Sequence, residues 1–393
     1  MSNNAKTREP LFHVVKRTKS DFPFWKSALI RVLAIVFGLI VCGIITFIFT
    51  KLNPIDVYKA MLNGAFGFDK VKNFAATSDK SYLTIFITKN RNLWSFLQNS
   101  AILLCISLAV TPAFKMKFWN IGAEGQVLIG GLATASCMIL YGDKLPPIAL
   151  FPLMIICSLA ASAIWGVIPA IFKAFWNTNE TLFTLMLNYV ALQLVSYFCY
   201  IWSNPKGSGK IGVINQATEA GYLPTLGDNP IISKYLFNIL VVIGITIFMY
   251  VYLKSSKHGY ELSVVGESEN TAKYIGVNVK KVIIRTMILS GAICGIAGFL
   301  LVSGTDHTVA TDTAAGRGFT AIMVSWLAKF NPFAMILTSF LLVFLEKGAG
   351  EISTQFGLNK AFSEIITGII LFFIIGSEFF VNYKIMFREK EEK

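Results

Sequence analysis

The sequence breaks repeatedly into apolar runs of about twenty residues, and that run length limits the fold more than any other feature. A helix of about twenty residues rises about 30 Å, the thickness of a bilayer's hydrocarbon core. In hydrocarbon each backbone N–H and C=O must be satisfied within the segment, so such runs resolve as helices. About ten are present, over 28–50, 93–113, 118–140, 147–171, 181–203, 234–253, 282–303, 317–329, 332–349 and 362–381. The third and eighth each begin at a glycine-bearing polar patch and are expected to be short or broken. Asn331-Pro332, Ser233 and Pro146-Pro147 mark the starts of the ninth, sixth and fourth. The fold expected is an all-α polytopic membrane protein, and a chain 54% hydrophobic and only 15% charged suits no soluble domain.

The net charge of +13 is read against that fold. It expresses the bias of Lys and Arg toward cytoplasmic loops, and no nucleic-acid-binding constellation accompanies it. Ten spans put the basic N-terminal arm, Lys115 and Lys117, Lys173, the 254–285 cluster, Lys329 and the basic tail on one side, the cytoplasmic side. The loop 51–92, with seven Lys and Arg, falls outside and goes against the rule. It is long, and charges spread along a long loop bind the rule less tightly. The chain therefore divides into a basic amphipathic arm (1–27), a transmembrane domain (28–381) and a cytoplasmic tail (382–393). Within the domain lie the extended outer loop 51–92, expected as a small helical cap, and a cytoplasmic loop at 254–281. Residues 11–26 interleave apolar side chains with lysines, as in a segment lying along the cytoplasmic interface.

Asn120-Ile121-Gly122-Ala123-Glu124-Gly125-Gln126 puts a carboxylate, two amides and two glycines inside an apolar run. An ionisable group at that depth marks a pathway or an interface, or is satisfied by neighbouring helices. Asn120, Glu124 and Gln126 can hydrogen-bond a neutral polar ligand, or pin the third helix to its neighbours. Trp119 is positioned either to stack on a planar ring or to anchor at the interface. Glu180, Thr184 and Asn188, four residues apart, share one face of the fifth helix, as pathway lining or interhelical hydrogen bonds, with Glu180 as a cap. Gly291, Gly295 and Gly298 form a small-residue face suited to close helix packing. Glu346, Glu364 and Glu378 lie near segment ends and are expected to face water. In the loop, Gly266 and Gly276 bracket a short helix expected at 269–275, a docking element or a plain interfacial helix.

No catalytic or metal site emerges: the six Cys lie in apolar runs without ligand spacing, and the three His are far apart. Gly207-Ser208-Gly209-Lys210 fails as a phosphate loop, because Asn204 stands where the first Gly is needed and Ile211 where Ser or Thr would hold magnesium.

Four stretches in order carry a family resemblance: 120–126; Asn179-Glu180-Thr181-Leu182-Phe183-Thr184-Leu185-Met186-Leu187-Asn188-Tyr189; 265–277; and Gly316-Arg317-Gly318-Phe319 with Asn331-Pro332. Over roughly 93–380 the chain resembles the permeases of ribose/nucleoside-type ABC importers, and most resembles the nucleoside permeases that work with basic-membrane-protein-type lipoproteins. The resemblance implies a type II importer permease fold and no enzyme activity. It implies a bacterial plasma membrane, with both termini cytoplasmic. It implies a second permease subunit forming a heterodimer, a cytoplasmic ABC ATPase and a substrate-binding lipoprotein, with membrane lipids around them and no nucleic acid. No cofactor would bind this chain; ATP and Mg would sit on the ATPase. Nucleosides such as guanosine would be carried, with ribose-like sugars remaining open. Trp119, Asn120, Glu124, Gln126 and Asn188 would then belong to the substrate pathway, and Gly266, Glu267, Asn270, Ala272, Tyr274 and Gly276 to ATPase coupling. The alternative from the residues is an ion-coupled secondary transporter of nucleosides or sugars, for which Glu124 is the one deep acid.

Overall fold

The protein is described by a computed structural model over residues 12–17, 23–75, 81–227 and 229–387. In chain order the elements are β1 (Phe12–Lys16), α1 (Phe24–Thr50), α2 (Pro54–Phe66), α3 (Phe68–Ala75), α4 (Tyr82–Thr88), α5 (Arg91–Lys115), α6 (Ala123–Tyr141), α7 (Pro147–Trp176) and α8 (Glu180–Ile201). There follow α9 (Pro230–Ser255), α10 (Lys257–Glu267), α11 (Glu269–Tyr274) and α12 (Val279–Leu301), with a π-helical turn at Val302–Asp306. The chain closes with α13 (Arg317–Leu327), α14 (Pro332–Phe356), α15 (Lys360–Asn382) and β2 (Tyr383–Phe387). Among the described residues nine helices are long and apolar enough to cross a membrane, one fewer than the sequence suggests. The eighth expected span is the exception: α13 has 11 residues and rises about 16 Å, about half the hydrocarbon core. The ninth runs on to Phe356, and the sixth begins at Pro230 rather than near Ser233. The cap of α9 is Asn229, whose side chain accepts from Ile231 N–H at 3.0 Å, and Ser233 is buried within the helix.

The described chain forms two units, one made of both chain ends (to Gly64, and from Leu345) and one running from Ala65 to Phe344. In the first, α1 packs on α15. Gly38 lets Phe373 approach, and Phe37 meets the same ring edge-on at 5.2 Å. Arg31 Nε donates to Glu378 Oε1 at 2.7 Å, so Glu378 is ion-paired rather than turned to water. Gly348 admits Met61 of α2, and Gly64 admits Glu351 of α14. β1 and β2 pair antiparallel, from Phe12 opposite Phe387 to Lys16 opposite Tyr383. Of the arm expected along the interface, residues 12–16 form this strand, and residues 1–11 and 18–22 lie outside the described residues.

In the second unit α5, α6 and α12 form the buried centre, and α7, α8 and α9 keep more of their apolar surface exposed. Contact between α6, α7 and α12 is close because the facing positions are small. A Cβ on Gly291 would lie 2.5 Å from Ser162 O, on Gly295 2.6 Å from Ser158 O, and on Gly130 2.7 Å from the Gly295 Cα. Gly298 likewise faces the Val127 carbonyl. Ser158 Oγ lies within donor reach of both Gly295 O (2.7 Å) and Gly130 O (3.0 Å), its single proton shared or alternating between the carbonyls of the two neighbouring helices. Among the described residues the loop 51–92 holds three helices, α2 to α4, with Phe68 stacked on Phe86. The loop 203–229 lies over the ends of α6 and α12: Asn215 Nδ2 donates to Met138 O, Leu223 N–H to Ser303 O, and Tyr222 stacks on His307 at 3.7 Å. Gly207 to Lys210 form an exposed turn in this loop.

Candidate functional site

Backbone geometry at 116–126 and 307–318 sets the site. After α5 the chain does not re-enter a helix until Ala123, and after the π-helical turn it stays irregular until Arg317. The two broken stretches meet. Glu124, in the first turn of α6, reaches the start of α13: its Oε1 accepts from Gly316 N–H and its Oε2 from Gly318 N–H, each at 2.7 Å. Gly316 is the N-cap of α13, with φ +74°. The first N–H groups of a helix have no partner within it and carry the positive end of its dipole. The carboxylate supplies both missing partners, which accounts for an acid in a membrane span. Gly318 has to be glycine, since a Cβ there would lie 2.7 Å from the Glu124 Cα. Gly316, Arg317 and Gly318 were not read from sequence as partners of Glu124. The two glycines flanking an arginine before a short apolar run were the available signal.

The other in-membrane polar groups hold the broken stretch in place. Asn188 Oδ1 accepts from Gly125 N–H (2.9 Å) and its Nδ2 donates to Ile121 O (2.9 Å). Thr184 Oγ1 accepts from Ile121 N–H at 3.2 Å. Asn120 Nδ2 donates to Ser290 Oγ on α12, and its Oδ1 accepts from Gly122 N–H. Gln126 Nε2 donates to the same Oδ1 at 3.4 Å, and its Oε1 is buried with no partner among the described residues. Asn120, Glu124, Gln126 and Asn188 are all buried within this chain. Trp119, the remaining pathway candidate, is 44% exposed and stacks on Trp326 at 5.5 Å. Asn179 caps α8, accepting from Leu182 N–H, while Glu180 pairs with Lys173 at 3.0 Å.

α13 runs alongside α5. Arg317 Nη2 donates to Asn99 Oδ1 (2.9 Å) at its start, and Ser325 Oγ donates to Ser107 O (2.8 Å) near its end. Its buried side is small, with Gly318, Ala321, Val324 and Ser325. The irregular stretch 307–316 leads directly into this half-helix.

The loop after α9 is a helix pair. Ser268 caps α11 by accepting from Thr271 N–H, and Gly276 ends the turn at φ +84°. Ala272 is buried, whereas Glu267, Asn270 and Tyr274 are exposed, Tyr274 at 92%. Gly266 is pressed against the Lys115 carbonyl at the end of α5, leaving no room for a Cβ. Arg285 Nη2 donates to Glu261 Oε2 at 2.7 Å, which ties α10 to α12. Partial burial, and then the Arg285 guanidinium, lowers the His258 pKa beside this pair. The exposed surface of α11 is thus carried on a support fixed to the two central helices.

Among the described residues, nine long apolar helices, a short half-helix and a loop-borne helix pair describe a polytopic membrane protein. Residues 92–375 match the family described as the branched-chain amino acid transport system permease component, and the chain belongs to it. It is an ABC transporter permease with the all-α type II importer fold. Over 372 residues it is 28% identical to the glucose ABC transporter permease protein TsgB13 of Haloferax volcanii, covering 92% of this chain and 91% of that one. With the guanosine ABC transporter permease protein NupP of Bacillus subtilis it shares 32% identity over 69% of this chain and 77% of that one. With the nucleoside ABC transporter permease protein NupB of Lactococcus lactis subsp. cremoris it shares 25% over 89% of this chain and 91% of that one.

Proposed function

We propose that this chain is one of two permease subunits of an ATP-driven importer that takes up nucleosides, guanosine among them, delivered by an extracytoplasmic lipoprotein. The observation that carries the reading is family membership together with 32% identity to a guanosine permease. The chain would sit in a bacterial plasma membrane among its lipids, with both termini and the basic loops cytoplasmic. It would bind no cofactor; ATP and Mg belong to the partner ATPase. Tyr274, Asn270 and Glu267 on the exposed side of the helix pair would enter a groove of that ATPase, with Gly266, Ala272 and Gly276 shaping the element. A path between two permeases runs over surface exposed on each, so Trp119 would contact the solute. Asn120, Glu124, Gln126 and Asn188 would hold the surrounding chain in position. In the whole transporter, deleting 259–277 is expected to abolish uptake while membrane insertion persists; normal uptake by the deletion would end the docking role.

A sugar is the second reading, favoured by the glucose permease that matches 92% of the chain. Competition separates the two. Excess unlabelled nucleoside is expected to block guanosine uptake and excess glucose to leave it unchanged.

A further inference from the structure

We infer that the exposed side of α13, carrying Phe319, Met323 and Trp326 and extended by Trp119, is solute-contacting wall of the translocation path, suited to an uncharged ring-bearing solute. The inference deepens the importer reading and rests on it. Phe319, Met323 and Trp326 follow one another at i, i+4 and i+7, so they share one face, and each is exposed in this chain. Elsewhere on the molecule an exposed apolar stripe in a span means lipid contact. Here the chain immediately before it excludes lipid. Residues 307–316 are irregular backbone, and α13 lies beside the middle of α5, a membrane span. Irregular backbone at that depth is tolerated only against protein or a water-filled cavity. Thr311, Asp312 and Ala315 in this stretch are exposed, and a carboxylate facing acyl chains would be costly.

The chemistry of the stripe selects the solute. It offers the faces of two indoles and a phenyl ring, with the Trp119 and Trp326 rings 5.5 Å apart and 30° from parallel. The two charged groups at the start of α13 are engaged: Glu124 has both oxygens on α13 backbone, and Arg317 donates to Asn99 and the Thr313 carbonyl. A planar neutral ring gains by stacking on such a surface, whereas an anion would be repelled by the negative ring faces.

The test is thiol labelling in the whole transporter, reconstituted with its partners. Phe319→Cys, Met323→Cys and Trp326→Cys are each treated with a charged, membrane-impermeant thiol reagent. Ile247→Cys, on an exposed apolar face of α9, serves as the lipid-facing control and the unaltered chain as the blank. The three stripe positions are expected to label at least tenfold faster than Ile247→Cys, and saturating guanosine to slow them at least threefold. Rates equal to the control would overturn the inference, whatever the transporter carries. So would labelling present in the isolated chain and lost on assembly, which would make the stripe a subunit contact. Fast labelling that is indifferent to guanosine while guanosine is still transported would remove the solute contact. Fast labelling slowed by glucose and not by guanosine would keep the wall and overturn the nucleoside reading instead.

Discussion

Glu124 shows how the same residue reads differently in sequence and in space. As a lone acid in an apolar run it is equally a pathway group or a packing group. Its two 2.7 Å bonds to Gly316 and Gly318 make it the cap of a half-helix. Glu124→Gln keeps one acceptor and loses the other, leaving a buried N–H without a partner, and such a loss costs about 1–3 kcal/mol. The variant is expected to denature earlier in detergent by that amount, and Glu124→Ala by more. A variant of unchanged stability with altered uptake would return Glu124 to a direct role in transport. Gly318→Ala is expected to behave like Glu124→Ala, since its methyl would enter the space of the carboxylate residue itself. Asn188 and Thr184 were legible as a stripe on one helix face; their partners, the backbone groups of Ile121 and Gly125, were not, because hydrogen bonds to irregular backbone leave no periodic trace.

At the level of elements, hydrophobic run length found the nine long helices because each buries or exposes enough apolar surface to need one. It also found α13, expected to be short or broken, whose helix is 11 residues long and follows irregular chain from His307 to Gly316. The terminal strands were hidden for another reason: their pairing spans nearly the whole sequence, and short basic segments read equally well as interfacial. The bracketed helix at α11 was legible because two glycines are local signals; its Ser268 cap was not read. Two predictions belong here. Tyr274→Ala, at a residue 92% exposed, is expected to leave folding unchanged and to weaken ATPase copurification by about 2 kcal/mol, roughly 30-fold, as for an aromatic anchor. Gly295→Val drives a side chain into α7 and is expected to cost about 1–3 kcal/mol or more, read as lost folded protein on size-exclusion chromatography. Tight binding by Tyr274→Ala, or a monodisperse Gly295→Val, would contradict these assignments.

For the whole molecule, cytoplasmic termini and a half-helix at the eighth expected span make a topology claim. Reporters fused at the two termini are expected to score on the same side, and a reporter in 329–331 to score with them; one after His307 should score opposite. The central claim is ATP-driven uptake through a family permease. Its most direct test is labelled guanosine uptake by the whole transporter, with ionophores collapsing every ion gradient while ATP is maintained. Uptake is expected to persist and to stop when the partner ATPase is inactivated. Uptake that dies with the gradients and ignores the ATPase would contradict the account.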